Sequence, residues 1–149
     1  MEHIRRAGTE DASRIAEIEI FNYRLHFYPI FKSDEFYFGE LQVVPAANAL
    51  AEDNEALSRT FVYDDGVVKG FIRVNGDEVE KLFVEPALQG QHIGEKLLEY
   101  AVSEHGAKWL WALEKNTRAI RFYEKHGFRR TDIRKPEEDT DEYLIRMER

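Results

Sequence analysis

The sequence predicts an α/β (α+β) fold in which about four helices flank a sheet of about seven strands. The chain has 149 residues, a length that suits one domain, 1–149, and falls short of two. Segments with strand periodicity alternate along it with segments of helical periodicity. Two turn signals, Asp64-Asp65-Gly66 and Asn75-Gly76, join three consecutive strands into an antiparallel meander.

The chain is predicted to start with a short strand followed by a helix. Residues 3–7 have an amphipathic strand pattern, and Thr9 is placed to cap the helix that follows. Ile15, Ile18, Phe21 (or Asn22) and Leu25 recur at helical spacing, and Pro29 is expected to stop this helix.

Positions 21–38 are unusually rich in aromatic residues. These residues are Phe21, Tyr23, Phe27, Tyr28, Phe31, Phe36, Tyr37 and Phe38. One narrow helical stripe cannot bury that much aromatic surface, so some of it is expected to line a pocket. For any single member, an aromatic core under a long loop is the alternative.

The rest of the chain divides into recognisable elements. The remaining predicted strands are 61–63, 67–74, 78–84, 108–113, 128–133 and 143–147. The remaining predicted helices are 47–58, 93–105 and 116–126. Gly106 and Gly127 are expected to end the last two helices, and the acidic run 137–142 is expected to be a solvated loop.

Composition excludes several classes of function. The chain carries 29 acidic and 21 basic residues, a net charge of -8, which disfavours nucleic acid and anionic membranes as partners. It has no cysteine, which excludes disulfides, thiol nucleophiles and cysteine-ligated zinc; no metal is expected. The first residues lack an apolar signal core, and no stretch is apolar enough to span a membrane, so a cytoplasmic protein is expected.

A loop between a predicted strand and a predicted helix, residues 84–94, is suited to binding an anion. Backbone N–H groups at a helix N-terminus have no partners within the helix, and Gly90 and Gly94 allow a close approach. The segment is neither a Walker A loop nor a GxGxxG fingerprint. An ordinary strand-to-helix connection is the alternative.

Asn116 and Tyr123 lie seven residues apart, nearly two helical turns, and therefore on one side of a helix. A phenol can protonate a departing thiolate, and an Asn amide can bond a peptide-like ligand. The alternatives are an N-cap for Asn116 and a core-edge aromatic for Tyr123.

Glu78 and Glu80 are predicted to project from one face of a strand, since strand side chains alternate with period two. If that face lines a cleft, either carboxylate is able to take a proton from a bound ammonium, directly or through water. A solvated sheet face is the alternative.

In this order and spacing, these three features resemble the GNAT superfamily of N-acetyltransferases. Residues 82–86 followed by 89–94, with the sequence Gln-Gly-Gln-His-Ile-Gly, are similar to the family's acetyl-CoA motif. His92 stands where the family most often has glycine. Residues 116–128 are similar to the family's second motif, which is the more specific of the two.

The resemblance implies a mixed, mostly antiparallel sheet whose central strands, 78–84 and 108–113, splay apart to admit the pantetheine arm of acetyl-CoA. The implied cofactor-binding residues are Leu82, Phe83, Val84, Gln89, Gly90, Gln91, His92, Ile93, Gly94, Glu95, Asn116 and Tyr123. An amine attacks the thioester directly, a backbone amide of 82–84 polarises its carbonyl, and Tyr123 protonates the sulfur. The implied base is Glu80 first, then Glu78, with water as the third choice.

The acceptor implied by the resemblance is a primary amine of a small molecule or a peptide. Tyr23, His26 and Tyr28 occupy the region that in such proteins covers the acceptor pocket. Homodimers are common among such folds, so a homodimer is possible here. A non-catalytic acetyl-CoA sensor is the alternative function.

Overall fold

The computed structural model describes residues 2–149 and arranges seven strands in one sheet. The strands are β1 (Ile4–Arg6), β2 (Thr60–Asp64), β3 (Val68–Asn75), β4 (Glu78–Val84), β5 (Trp109–Leu113), β6 (Arg129–Pro136) and β7 (Tyr143–Glu148). Their spatial order is β1-β2-β3-β4-β5-β7-β6. Only β4 and β5 pair in parallel, so the predicted mixed and mostly antiparallel sheet is confirmed.

Six α-helices accompany the sheet in the described residues, where about four were predicted. They are α1 (Ala12–Asn22), α2 (Tyr28–Phe31), α3 (Val43–Ala51), α4 (Asn54–Ser58), α5 (Ile93–His105) and α6 (Thr117–Lys125). The predicted helix 47–58 is two helices, because the Asp53 carboxylate accepts the Ala56 N–H at 3.0 Å and starts α4 anew. None of these helices combines the length and the apolar composition that a membrane span needs.

The aromatic segment is helical, which corrects the expectation that Pro29 stops the first helix. The chain leaves α1 through a π-helical segment, Tyr23–Phe27, and continues into α2. Pro29 lies in the first turn of α2, where a missing N–H costs no hydrogen bond. A second π-helical segment, Glu35–Glu40, follows.

The start of α1 differs from the prediction that Thr9 caps it. Residues Thr9–Asp11 form a 3₁₀ turn, and the Asp11 carboxylate accepts the Gly8 N–H at 2.8 Å. Arg5 binds the same carboxylate at 2.8 Å, which ties β1 to this turn. At the other helix ends, Gly106 and Gly127 have φ of 63° and 93°, as predicted for glycines that end helices.

Apolar side chains cover both faces of the sheet. On one face α5 packs Leu97 and Leu98 against Ile72, Leu110 and Met147. On the other face lies a second cluster. It contains Ala7, Ile15, Ile18, Leu57, Val62 and Phe71. Burial of each large aliphatic side chain contributes about 1.5–3 kcal/mol, so the two clusters hold α1 and α5 firmly on opposite faces.

The centre of the sheet is open on one side of β4. Strands β4 and β5 pair only at Glu78 with Trp109 and Val79 with Leu110, and then separate. On its other side β4 remains paired with β3 as far as Val84. The predicted splay of the two central strands is therefore confirmed.

Candidate active site

Two cavities open where β4 and β5 diverge. The loop cavity, about 570 Å³, lies between the 85–92 connection and α6, and the acidic cavity, about 810 Å³, lies beside the first half of β4. Both are lined by Phe27, Leu82, Phe83, Asn116, Ala119 and Tyr123. A ligand that passes between the strands therefore contacts both cavities.

The turn before α5 has the backbone geometry that an anion site needs. Gly90 has φ of 88° and His92 φ of 65°, so both adopt left-handed conformations. The exposed His92 side chain contacts Glu95, with Nδ1 to Oε2 at 2.9 Å. The turn thus accommodates a side chain at the position where the family that the sequence resembles prefers glycine. The energetic cost is that of a left-handed backbone conformation at a residue with a Cβ.

The first amides of α5 are free of helical partners. The first hydrogen bond that α5 makes to the preceding turn is from Lys96 N–H to the His92 carbonyl, at 3.1 Å. The N–H groups of Ile93, Gly94 and Glu95 precede it, and these three residues line the loop cavity. Such amides at the positive end of a helix dipole suit a phosphate.

Cationic side chains of α6 complete the loop cavity, and sequence reasoning missed them. Arg118, Arg121 and Lys125 all line it. Their spacing of three and four residues places them on one helical face, which is the signal that would have identified them. Arg118 also donates a hydrogen bond to the side-chain oxygen of Gln89, linking α6 to the loop opposite.

Asn22 is a further residue whose role the sequence did not reveal. Its buried amide nitrogen donates to the carbonyls of Ile18 and Val84, each at 2.8 Å. Its oxygen accepts from Gln89 Nε2 at 3.1 Å. The end of α1, the end of β4 and the start of the loop are thereby joined. The Val84 carbonyl, one of the backbone groups expected to meet a ligand, is consequently already hydrogen-bonded.

Asn116 and Tyr123 lie together in the gap, as their helical spacing predicted. The Asn116 side chain accepts the Ala119 N–H at 3.3 Å, so it caps α6 while it lines both cavities. Tyr123 lines both cavities as well. Burial raises the pKa of Tyr123, which keeps its phenol protonated and able to donate.

The acidic cavity gathers carboxylates and aromatic rings. Its acidic residues are Glu40, Glu78, Glu80, Glu137, Glu138 and Asp139. Its aromatic residues are Tyr23, Phe27, Phe31, Phe36, Tyr37, Phe83, Trp111 and Tyr123. The cation in its lining, Lys81, pairs with Glu19 at 2.5 Å. This cavity therefore attracts a cation that also has an apolar part.

The two candidate bases have different surroundings. Glu80 pairs with Arg59, with Oε2 to Nη1 at 2.5 Å. Glu78 pairs with no cation in residues 2–149, and burial, followed by the nearby Glu80 charge, raises the pKa of its carboxyl. Of the two, only Glu78 combines a raised pKa with the absence of an ion-pair partner in the described residues.

A β-bulge corrects the alternation predicted for β4. Val74 of β3 pairs with Val79 and Arg73 pairs with Lys81, which leaves Glu80 as the extra residue. Val79 and Leu82 consequently pack on the same face, against α5, although period two would separate them. Both glutamates nonetheless line the acidic cavity.

The three predicted acceptor residues lie in different places. Tyr23 lines the acidic cavity and donates to Glu19 at 3.2 Å. His26 lines the loop cavity, where its buried Nε2 has no partner in the described chain. Tyr28 lines neither cavity and donates to Asp34 at 2.6 Å. Gln91, predicted to bind the cofactor, is exposed and also lies outside both cavities.

Sequence and structure comparisons agree on one family. The acetyltransferase (GNAT) domain family matches residues 56–130. A Salmonella typhimurium protein, peptidyl-lysine N-acetyltransferase YjaB, is 36% identical over 70 residues, 47% of this chain. The matched stretch spans about half of that relative, 48% of its length.

Solved structures extend the likeness to nearly the whole chain. Apo-form YjaB from Escherichia coli superimposes with a TM-score of 0.76 at 21% identity, over 97% of this chain and 95% of that one. A putative acetyltransferase from Salmonella typhimurium, yncA, solved with its cofactor acetyl-CoA, gives a TM-score of 0.66 at 26% identity, over 97% and 90%. With its splayed strands and matched motifs, the chain belongs to the GNAT acetyltransferase family.

Proposed function

We propose that this protein transfers the acetyl group of acetyl-CoA to a primary amine, with Tyr123 as the general acid and Glu78 as the base. One observation carries the proposal. Tyr123 lines both the loop cavity and the acidic cavity, at the point where the two meet between β4 and β5. A proton donor at that junction is placed between two bound substrates.

The loop cavity suits the coenzyme. The free amides at the start of α5 and the cations Arg118, Arg121 and Lys125 match the phosphate charges of CoA. Asn116 and the open edge of β4 offer amide partners for the pantetheine arm. A solved relative at 26% identity holds acetyl-CoA, which supports this assignment.

The acidic cavity suits a cationic primary amine. Carboxylates attract the ammonium, and rings such as Tyr23 and Trp111 pack against its alkyl chain. A lysine side chain in a peptide combines these two properties, as does a small alkyl amine. The curated relative's name, peptidyl-lysine N-acetyltransferase, supports the peptide lysine.

The mechanism follows from where the protons must go. The incoming ammonium has to lose a proton before its nitrogen can attack, and Glu78 accepts that proton. The C–N bond then forms as the C–S bond breaks, and the leaving sulfur takes the Tyr123 proton. Of the two protons still on the nitrogen, one restores the phenol and the other stays on the amide product. An N–H on the open edge of β4 stabilises charge on the carbonyl oxygen.

A turnover assay tests this function. Thiol release from acetyl-CoA is measured with a lysine-containing peptide, spermidine, an amino acid and an aminoglycoside. We expect amine-dependent release that is highest for acceptors with a free alkyl ammonium group. Thermal stabilisation by acetyl-CoA without turnover across the panel would favour the rival function, a non-catalytic sensor.

A further inference from the structure

Arg59 is fixed against the strand that carries both candidate bases. Its guanidinium binds Glu55 at 2.6 Å, the Val74 carbonyl at 2.8 Å and Glu80 at 2.5 Å. Its backbone carbonyl also accepts the Val74 N–H at 3.0 Å. A side chain held at this many points has little freedom to release Glu80.

The two glutamates of β4 share one cavity but not one partner. Arg59 holds the charge of Glu80 in an ion pair and occupies a lone pair of its carboxylate. Glu78, two residues away and itself paired with Trp109 of β5, has no ion-pair partner in the described residues. Of these two similar side chains, one is therefore ion-paired and the other is not.

We propose that Arg59 is a positioning residue that holds Glu80 in an ion pair and thereby reserves Glu78 for accepting the acceptor's proton. This inference rests on the proposed acetyl transfer. Arg59 touches neither reacting group and lines neither cavity, so it acts only through the two carboxylates.

Four charged groups act on the Glu78 carboxyl. Glu80 opposes its ionisation, while Lys135, Arg146 and Arg59 favour it. Lys135 lies over the Trp111 ring at 4.4 Å and Arg146 over the Trp109 ring at 4.1 Å. Each of these two cations is therefore held by its own cation–π contact. Removing Arg59 should therefore raise the pKa of Glu78, and removing the Glu80 charge should lower it.

Two readouts test the inference, one of which does not depend on activity. The side-chain carboxyl carbon of Glu78 is titrated by NMR in the wild type, Arg59→Gln, Arg59→Lys and Glu80→Gln. The pH profile of kcat/KM is measured for the same proteins and for Glu78→Gln. We expect the Glu78 midpoint and the acid limb to rise in Arg59→Gln and to fall in Glu80→Gln, each by about half a pH unit. Arg59→Lys, which keeps the charge, should lie nearer to the wild type.

The outcomes separate the two proposals. Opposite shifts, together with a far larger rate loss in Glu78→Gln than in Glu80→Gln, support the role of Arg59. Shifts in the same direction, absent shifts, or a rate loss concentrated in Glu80→Gln would overturn that role while acetyl transfer itself stands. If the wild type shows no amine-dependent turnover, the proposed function fails, and the NMR titration still decides whether Arg59 sets the Glu78 midpoint.

Discussion

Glu78 combines a functional advantage with a cost to stability. Burial and the neighbouring Glu80 charge raise the pKa of Glu78, so the folded protein binds its proton more tightly than the unfolded chain does. The stabilising contribution of this carboxyl is complete below the ordinary glutamate pKa and is lost as pH rises through the raised value. Above that raised pKa the ionised carboxylate therefore opposes folding, and it is this ionised form that accepts a proton in the proposed mechanism.

Glu78→Gln should consequently raise the melting temperature at pH 7 and lower kcat/KM on the order of a hundredfold. The gain in melting temperature should disappear below about pH 4, where the wild-type carboxyl is protonated. Calorimetry at both pH values and the thiol-release assay measure these effects. Glu99→Gln, an equal charge change at an exposed site on α5, is the control and should show neither effect. A destabilised but fully active Glu78→Gln protein would contradict the assignment.

At the scale of elements, the turn before α5 is a shape that only some residues adopt without strain. Gly90, with φ of 88°, has open space where a Cβ would lie, so its requirement for glycine comes from the backbone and not from crowding. Gly39 also has open space but no positive φ. The two glycines therefore differ in the sign of φ and not in the space around a Cβ.

Gly90→Ala should destabilise the protein by about 1 kcal/mol and weaken acetyl-CoA binding, because alanine disfavours the left-handed conformation. Gly39→Ala should neither destabilise the protein nor weaken acetyl-CoA binding. Chemical denaturation and titration calorimetry with acetyl-CoA measure both quantities. Equal effects of the two substitutions would show that the turn conformation does not matter.

Local patterns predicted most of these elements, and long-range pairing decided the rest. The hairpins at residues 64–66 and 75–76 and the glycines that end α5 and α6 depend on neighbours in sequence, and the structure has them. The bulge at Glu80 depends on the register with β3, which the sequence of β4 does not contain. The role of Asn22 was not predicted for a similar reason, since its partners Val84 and Gln89 lie more than 60 residues away.

The candidate site was predicted unevenly for the same physical reason. Asn116 caps the helix that carries Tyr123, so their spacing alone placed them together. The proposed preference for Glu78 over Glu80 rests on Arg59, which reaches Glu80 across 21 positions of sequence. A pattern within one strand cannot reveal such a partner.

Over the whole molecule, charge is divided between the two cavities. The net charge is -8, yet the loop cavity is lined by Arg118, Arg121 and Lys125, while carboxylates line the acidic cavity. This division suits an anionic coenzyme on one side and a cationic acceptor on the other. Salt should therefore weaken the electrostatic attraction between each cavity and its substrate.

Raising the ionic strength from about 0.05 to about 0.5 M should lower kcat/KM for an alkyl ammonium acceptor several-fold, since the Debye length falls from about 14 Å to about 4 Å. An acceptor that carries a carboxylate beside its amine, and so has no net charge, is the control and should respond less. Steady-state kinetics at saturating acetyl-CoA isolate the effect on the acceptor. A larger response from the neutral acceptor would contradict the proposed role of the acidic cavity.

Substitution of Tyr123 by phenylalanine tests the central claim most directly, with amine-dependent thiol release and acetyl-CoA affinity measured on the same protein. Tyr143→Phe, at an exposed tyrosine outside both cavities, serves as the matched control. The account predicts that Tyr123→Phe loses kcat on the order of a hundredfold while acetyl-CoA affinity stays close to that of the wild type. Turnover by Tyr123→Phe at the rate of Tyr143→Phe would show that the phenol between the two cavities is not the acid.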